Sequence, residues 1–205
     1  VTNRKWAEKG KECGVDGLIC VNDHAGGHLG AMSMREMYEE LRDMELPLIC
    51  AGGIGSEKEL NRALELGYDG VQMGTRFIAT TECNPPEDYK SAIVDAGEED
   101  ITWTNRITGV PISVIKTPGF KQENSWLMRR LLHSRFKHPA RTLLNVNSFI
   151  RLKYLSRSKG KNTANKKKYY SAGKSVDTVH SIESATIIMQ RLGEALNSNP
   201  KLVEK

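Results

Sequence analysis

Short apolar runs alternate with longer amphipathic segments through the first 83 residues of the chain. The apolar runs are DGLICV (16–21), PLICAG (47–52) and DGVQMG (69–74), each rich in aliphatic residues. Continuous apolar runs of this length suit strands that are buried on both faces of a parallel sheet. We therefore predict three parallel strands.

The segments between these runs have helical periodicity. Ser33 and Ser56 each precede such a segment, and Glu36 and Glu59 follow three residues later, which is the pattern of a capping box. A further helix is predicted over 3–14. Strands that alternate with helices fit either a doubly wound sheet or a (β/α)₈ barrel. A complete barrel takes roughly 250 residues, so this chain would hold only the second half of one.

The alternation stops after residue 83, and this divides the chain into three parts. Residues 1–83 are expected to form the βα units. Residues 84–168 are expected to be a helical or irregular basic segment, with a flexible loop at 156–168. Residues 169–205 are expected to form a C-terminal helix that packs back on the barrel. Within these parts, the pattern predicts helices over 87–97, 124–155 and 169–196 and an extended run over 110–118.

Charge is distributed unevenly along the chain, whose formal net charge is +5. Residues 1–115 carry 11 basic and 20 acidic side chains, whereas residues 116–168 carry 15 basic side chains and a single acid, Glu123. We interpret this segment as a solvated basic face with a loop. Binding of nucleic acid, anionic lipid or an acidic carrier protein is the disfavoured alternative, and the segment lacks an RNA-reading aromatic motif.

The cysteines and histidines do not have metal-ligand spacing, so no metal site is predicted. The four cysteines are expected to be free thiols, two of them within strands, which fits a reducing, cytoplasmic setting. The apolar runs are far too short to span a bilayer, so no membrane segment is predicted.

The motif AGGHLG (25–30) directly follows the first predicted strand. Gly26 and Gly27 allow close approach of the backbone to a ligand, and His28 can exchange a proton near neutral pH. Barrel active sites lie at this end of the strands. A glycine turn with a surface histidine is the alternative reading.

Two further motifs follow the other predicted strands, AGGIGS (51–56) and QMGTRF (72–77). Glycine amides before a helix N-terminus can bind an anion, and Gly74 and Thr75 offer an amide and a hydroxyl. The loops after the last two barrel strands frequently bind phosphate. The two motifs are therefore expected to meet at one phosphate, although AGGIGS also fits a plain βα loop.

These motifs together resemble the nitronate monooxygenase family, formerly called 2-nitropropane dioxygenases, and the related flavin-dependent enoyl-ACP reductases. The resemblance is carried by AGGHLG, by residues 47–83, and more weakly by residues 169–185. It implies an α/β fold, namely the C-terminal half of a (β/α)₈ TIM barrel with a helical, basic C-terminal extension. It also implies bound FMN. Gly26 and Gly27 would lie near the flavin ring, His28 would be the catalytic residue, and the phosphate would be held by Gly52, Gly53, Gln72, Met73, Gly74 and Thr75.

The resemblance implies an FMN-dependent oxidoreductase that acts on a small organic substrate. The favoured reaction is oxidation of nitronates or nitroalkanes with O₂. One alternative is NAD(P)H-dependent reduction of an enoyl thioester, and another is an inactive half-barrel or a basic interaction protein. Because strands at an open edge invite pairing, we expect a homo-oligomer or a partner that supplies the missing half. The glycine-centred segment Ser171–Ser175 either caps the site or begins a helix.

Overall fold

The computed structural model describes residues 1–104, 111–117 and 169–198. The predicted helix over 124–155 and the predicted flexible loop over 156–168 lie outside these residues. The strands are β1 (Leu18–Val21), β2 (Gly27–His28), β3 (Leu48–Ala51), β4 (Gly70–Gln72), β5 (Ile101–Thr104) and β6 (Ile112–Ile115). The helices are α1 (Arg4–Glu12), α2 (Met34–Leu41), α3 (Glu57–Leu66), α4 (Thr75–Ile78), α5 (Glu87–Asp95) and α6 (Ala185–Asn197), with 3₁₀ turns at Glu98–Asp100 and Lys174–Thr178.

The main sheet confirms the three strands predicted from the apolar runs. Strands β1, β3 and β4 are parallel and lie in the order β1-β3-β4. Cys20 of β1 lies beside Cys50 of β3, and both thiols are fully buried against Met37 and Leu41 of α2. Burial in this core raises the pKa of Cys20 to about 11 and that of Cys50 to about 12. One face of the sheet is therefore covered by helices.

The helix signals read from the sequence are confirmed. Ser33 and Ser56 form complete capping boxes with Glu36 and Glu59. Helix α3 ends at Gly67, whose φ of 114° is left-handed. A Cβ at that position would lie 2.1 Å from the Tyr38 hydroxyl oxygen, so only glycine fits both the turn and the packing.

The apolar runs predict that Ile19, Ile49 and Val71 share the inner face of the barrel, and the register corrects this prediction for Val71. Val71 lies beside Cys50, whereas Ile49 lies beside Gly70. Because neighbours in a parallel ladder project to the same side, Val71 faces the helices and Gly70 occupies the opposite face. Ile19 is on that opposite face and is 48% exposed.

A second, antiparallel sheet in the order β2-β6-β5 is absent from the sequence-based prediction. Strand β6 confirms the extended run over 110–118, and α5 confirms the helix over 87–97. The pairing of β6 with β2 joins residues that are about 85 positions apart, which periodicity cannot reveal.

The prediction of continuous helix over 169–196 is wrong for its first half. The chain forms an isolated bridge at Tyr170, a 3₁₀ turn at Lys174–Thr178, and α6 only from Ala185. Ile188 and Leu192 of α6 pack against Leu60. The helical periodicity predicts that Met189 shares their face, but Met189 is 57% exposed.

The C-terminal residues pack against both preceding parts of the chain. Val176 and Val179 are fully buried in one cluster with Ala79 and Ile93. Within the described residues, no helix is long and apolar enough to cross a membrane.

Candidate active site

Three loops meet at the carboxyl ends of the parallel strands. They follow Val21, Ala51 and Gln72, which are neighbours in the register. Ligands of α/β sheets and barrels bind at this edge of the strands. The structure therefore brings the three sequence motifs to one edge, as expected.

Asn22 joins the first loop to the second. Its side chain is 1% exposed; Nδ2 donates to the Gly52 carbonyl at 2.9 Å, and Oδ1 accepts from the His24 amide at 2.9 Å. Gly52 has a φ of 117°, and a Cβ there would lie 2.1 Å from Asn22 Oδ1. The two loops therefore pack too closely for any side chain at position 52.

His24 lies over Gly53 at the same edge. Gly53 has a φ of 75°, and a Cβ there would lie 3.2 Å from His24 Nδ1. The His24 side chain is 43% exposed, and its Nε2 is 3.7 Å from Asp23 Oδ1. That carboxylate oxygen is buried and has no hydrogen-bond partner among the described residues.

The third loop leaves an open space at Gly74. Gln72 and Gly74 are exposed, and a Cβ at Gly74 would contact nothing within 4 Å. Met73 differs, because its side chain packs on the helix-covered core and can serve a ligand only through its backbone. Gly74 precedes the short helix α4, which begins at the buried Thr75.

The C-terminal segment connects the third loop to the first. Thr75 Oγ1 accepts a hydrogen bond from the Gly173 amide at 3.1 Å, so the hydroxyl proton stays available to another acceptor. Gly26 also packs on Gly173, since a Cβ at Gly26 would lie 2.8 Å from the Gly173 nitrogen. The Lys174 amide donates to the His24 carbonyl at 3.0 Å. The segment Ser171–Ser175 contacts these loops and leads into a 3₁₀ turn, and its capping of the site stays a prediction.

An ion pair between Lys174 and Glu98 adds charge to this edge. Lys174 Nζ lies 2.6 Å from Glu98 Oε1. The hydrogen bond from Lys174 lowers the pKa of Glu98, with smaller electrostatic contributions from Lys174 and His24. Asn22, His24 and Glu98 were not among the residues predicted for the site. A polar residue directly after an apolar strand, as at Asn22, is the signal that could have identified the first of them.

His28 occupies a different position from the other predicted residues. It is exposed on β2, where it pairs with Ile112 while Gly27 pairs with Ser113. The chain places it two residues beyond Gly26, on the edge of the second sheet. The imidazole is therefore open to solvent beside the glycine loops.

Three backbone N–H groups at this edge lack a hydrogen-bond acceptor within the part of the chain that the structure describes. Among the described residues, none accepts from the amides of Gly53, Gly74 or Thr75. Unpaired amides beside glycines are a frequent means of binding an anion in proteins. The edge is therefore suited to an anionic group.

Comparison with known proteins identifies the family of the chain and several relatives. The family model for nitronate monooxygenase matches residues 1–194. A Rhodococcus jostii protein named (3aS,4S,5R,7aS)-5-hydroxy-7a-methyl-1-oxo-octahydro-1H-indene-4-carboxyl-CoA dehydrogenase is 32% identical over 114 residues, covering 55% of this chain and 32% of that protein. A probable nitronate monooxygenase of Staphylococcus saprophyticus is 31% identical over 137 residues, covering 61% of this chain and 39% of that protein.

Solved structures support the fold. FabK from Thermotoga maritima superimposes with a TM-score of 0.73 at 23% identity, over 100% of this chain and 61% of that one. The nitroalkane oxidase from Streptomyces ansochromogenes gives a TM-score of 0.65 at 21% identity, over 97% of this chain and 57% of that one.

The chain spans well under half the length of the two sequence relatives named above. Because the family model covers nearly all of its residues, the chain belongs to the nitronate monooxygenase family.

Proposed function

We propose that this chain carries the flavin site of an FMN-dependent monooxygenase that oxidises nitronates or nitroalkanes with O₂. The family match over residues 1–194 is the observation that carries the proposal. The convergence of three glycine loops at the strand ends supports it, because these loops hold the residues that the family resemblance associates with the flavin.

The residues present fit the cofactor. The free amides of Gly53, Gly74 and Thr75 would hold the phosphate, with Gly52, Gln72 and the Met73 backbone beside them. Gly74 has open space in front of it, which a side chain would fill. Gly26 and Gly27 would lie beside the flavin ring, which, when bound, accepts electrons from the substrate and passes them to O₂.

His28 is proposed as the proton acceptor. Its imidazole is exposed on β2 and is therefore accessible to a substrate that lies against the glycine loops. A neutral nitroalkane must lose its α-proton, whereas a nitronate has already lost it. His28 would take that proton from a nitroalkane, and would orient and polarise a nitronate.

The test is to purify the chain, record its visible absorbance with added FMN, and follow O₂ uptake with a nitronate. We expect flavin absorbance after gel filtration, together with nitronate-dependent O₂ consumption that is weak for this chain by itself. Failure to bind FMN would contradict the proposal.

Four free cysteines are compatible with the cytoplasmic location that we propose for the protein.

A second candidate reaction uses a thioester substrate. It is favoured by the R. jostii relative, whose name describes a dehydrogenase of a carboxyl-CoA. In this version NAD(P)H would supply hydride, and an enoyl thioester would be reduced. Anaerobic addition of NAD(P)H separates the two functions, since rapid bleaching of flavin absorbance would favour the thioester reductase.

A chain that binds no flavin, as an inactive half-barrel or a basic interaction protein, is the remaining alternative. The basic segment that would carry such an interaction lies mostly outside the described residues. The gel-filtration experiment decides this case too, because either of these proteins would elute without flavin.

A further inference from the structure

The loop that carries His24, Gly26 and His28 begins and closes at a single buried residue, Asn22. The Asn22 carbonyl accepts from the Gly30 amide at 3.1 Å, and the Asn22 amide donates to the Ala51 carbonyl at 3.0 Å. The intervening residues therefore form a closed loop whose two ends meet on Asn22.

The Asn22 side chain extends this arrangement to the second glycine loop. Nδ2 donates to the Gly52 carbonyl and, at 3.8 Å, to Cys50 Sγ, while Oδ1 accepts from the His24 amide. His24 in turn accepts from the Lys174 amide through its own carbonyl. One side chain therefore links the first loop, the second loop and the C-terminal segment.

We propose that Asn22 is a positioning residue that sets the relative placement of the two loops that receive the flavin. The inference rests on the proposed function, since it concerns how that same site is arranged. The side chain needs both a donor and an acceptor, because Gly52 presents a carbonyl and His24 presents an N–H. Only a carboxamide of this length offers both at 1% exposure.

The decisive variant is Asn22→Asp, which keeps the shape and the acceptor but replaces the donor with a second oxygen. That oxygen would face the Gly52 carbonyl, so the two loops should move apart. We expect the Kd for FMN to rise about tenfold or more, which is the scale of one buried acceptor left without its donor. We also expect the visible circular dichroism of FMN, measured at saturation, to differ from that of wild type.

Asn3→Asp is the matched control. Asn3 caps α1 and uses its side chain only as an acceptor, from the Trp6 amide at 3.2 Å. Aspartate caps helices as well as asparagine does, so this variant should bind FMN with wild-type affinity and an unchanged spectrum. Asn22→Ser is a second variant, and it should act like Asn22→Asp because a hydroxyl is too short to reach both loops.

The outcomes separate the two proposals. If wild type binds no FMN, the proposed function fails and the role of Asn22 fails with it. If wild type binds FMN and a folded Asn22→Asp protein shows the same Kd and spectrum, only the role of Asn22 is overturned. If far-UV circular dichroism shows that neither Asn22 variant folds, Asn22 is needed for the fold itself, and its assignment as a positioning residue is equally overturned.

Discussion

At the scale of single residues, the candidate site depends on two glycines with left-handed backbone conformations. Gly52 and Gly53 have φ values of 117° and 75°, a region that L-residues with side chains seldom adopt. Each also faces a neighbouring loop at a distance that leaves no room for a Cβ without movement. Backbone conformation therefore favours glycine at both positions, and packing independently demands it at Gly52.

Gly53→Val should abolish retention of FMN through gel filtration. The strained φ costs about 1–2 kcal/mol, and the new side chain would push against His24 and crowd the free Gly53 amide. Gly14→Val is the control, because Gly14 has a φ of 77° with nothing within 4 Å of its Cβ position. It should lose similar stability but keep FMN. Equal flavin retention by the two variants would contradict the placement of the phosphate near Gly53.

His28→Asn should keep FMN bound but slow oxidation of a neutral nitroalkane about 10²–10⁴-fold, the usual contribution of a positioned acid or base. Oxidation of the preformed nitronate should suffer less, because no proton needs to be removed. His180→Asn, at another exposed histidine, is the control and should behave as wild type. If the His28 variant lost both activities equally in steady-state assays, His28 would bind substrate and would not act as a base.

At the scale of elements, α6 is attached to the main sheet by an apolar contact and an ion-pair network. Ile188 and Leu192 pack on Leu60 of α3. The buried guanidinium of Arg76 pairs with Glu183, and Arg76 Nη1 donates to the Ser181 carbonyl at 3.1 Å. Burial lowers the pKa of Arg76, and the charge of Glu183 opposes this shift.

Glu183→Gln should lower the free energy of unfolding by about 3 kcal/mol, since removing one partner of a buried pair leaves a charge uncompensated. This is the low end of the usual range, because the Glu183 side chain is 23% exposed. Glu8→Gln is the control: Glu8 pairs with Arg4 on the exposed face of α1, where solvent screens the two charges and the pair contributes little to stability. Urea denaturation of both variants measures the difference, and equal midpoints would show that Arg76 does not depend on Glu183.

At the scale of the whole molecule, the parallel sheet has incompletely paired edges within the described residues. Strand β4 forms one edge of the order β1-β3-β4. At the other edge, only Val1 pairs with β1: its amino group donates to the Ile19 carbonyl at 2.6 Å, and its carbonyl accepts from the Val21 amide at 2.8 Å. Exposed strand edges invite pairing with other chains.

The 205-residue chain should therefore self-associate or bind a partner through this sheet, and be weakly active by itself. Ile19→Thr should reduce self-association measured by sedimentation velocity, because it removes apolar surface from the uncovered face. Ile187→Thr on α6 is the control, since Ile187 is also 48% exposed but lies away from the sheet. A stable monomer that holds equimolar FMN would contradict the expectation of an incomplete barrel.

The sequence by itself determined the local elements and the positions of the motifs. Strand residues such as Leu18 and Leu48, the capping boxes at Ser33 and Ser56, and the stop at Gly67 all follow from interactions between residues close in the chain. The order of apolar runs also placed the three glycine motifs at one edge, because the carboxyl ends of parallel strands coincide.

Only the tertiary structure decided the contacts between distant segments. Three contacts are of this kind: the pairing of His28 with Ile112, the hydrogen bond between Thr75 and Gly173, and the hydrogen bond from Asn22 to Gly52. In each of them, the sequence around one residue does not indicate which residue is its partner. The orientation of Val71 depended on register, and a shift of one residue reverses the face that a side chain occupies. Periodicity reports burial along one segment, whereas these contacts are fixed by how whole segments pack together.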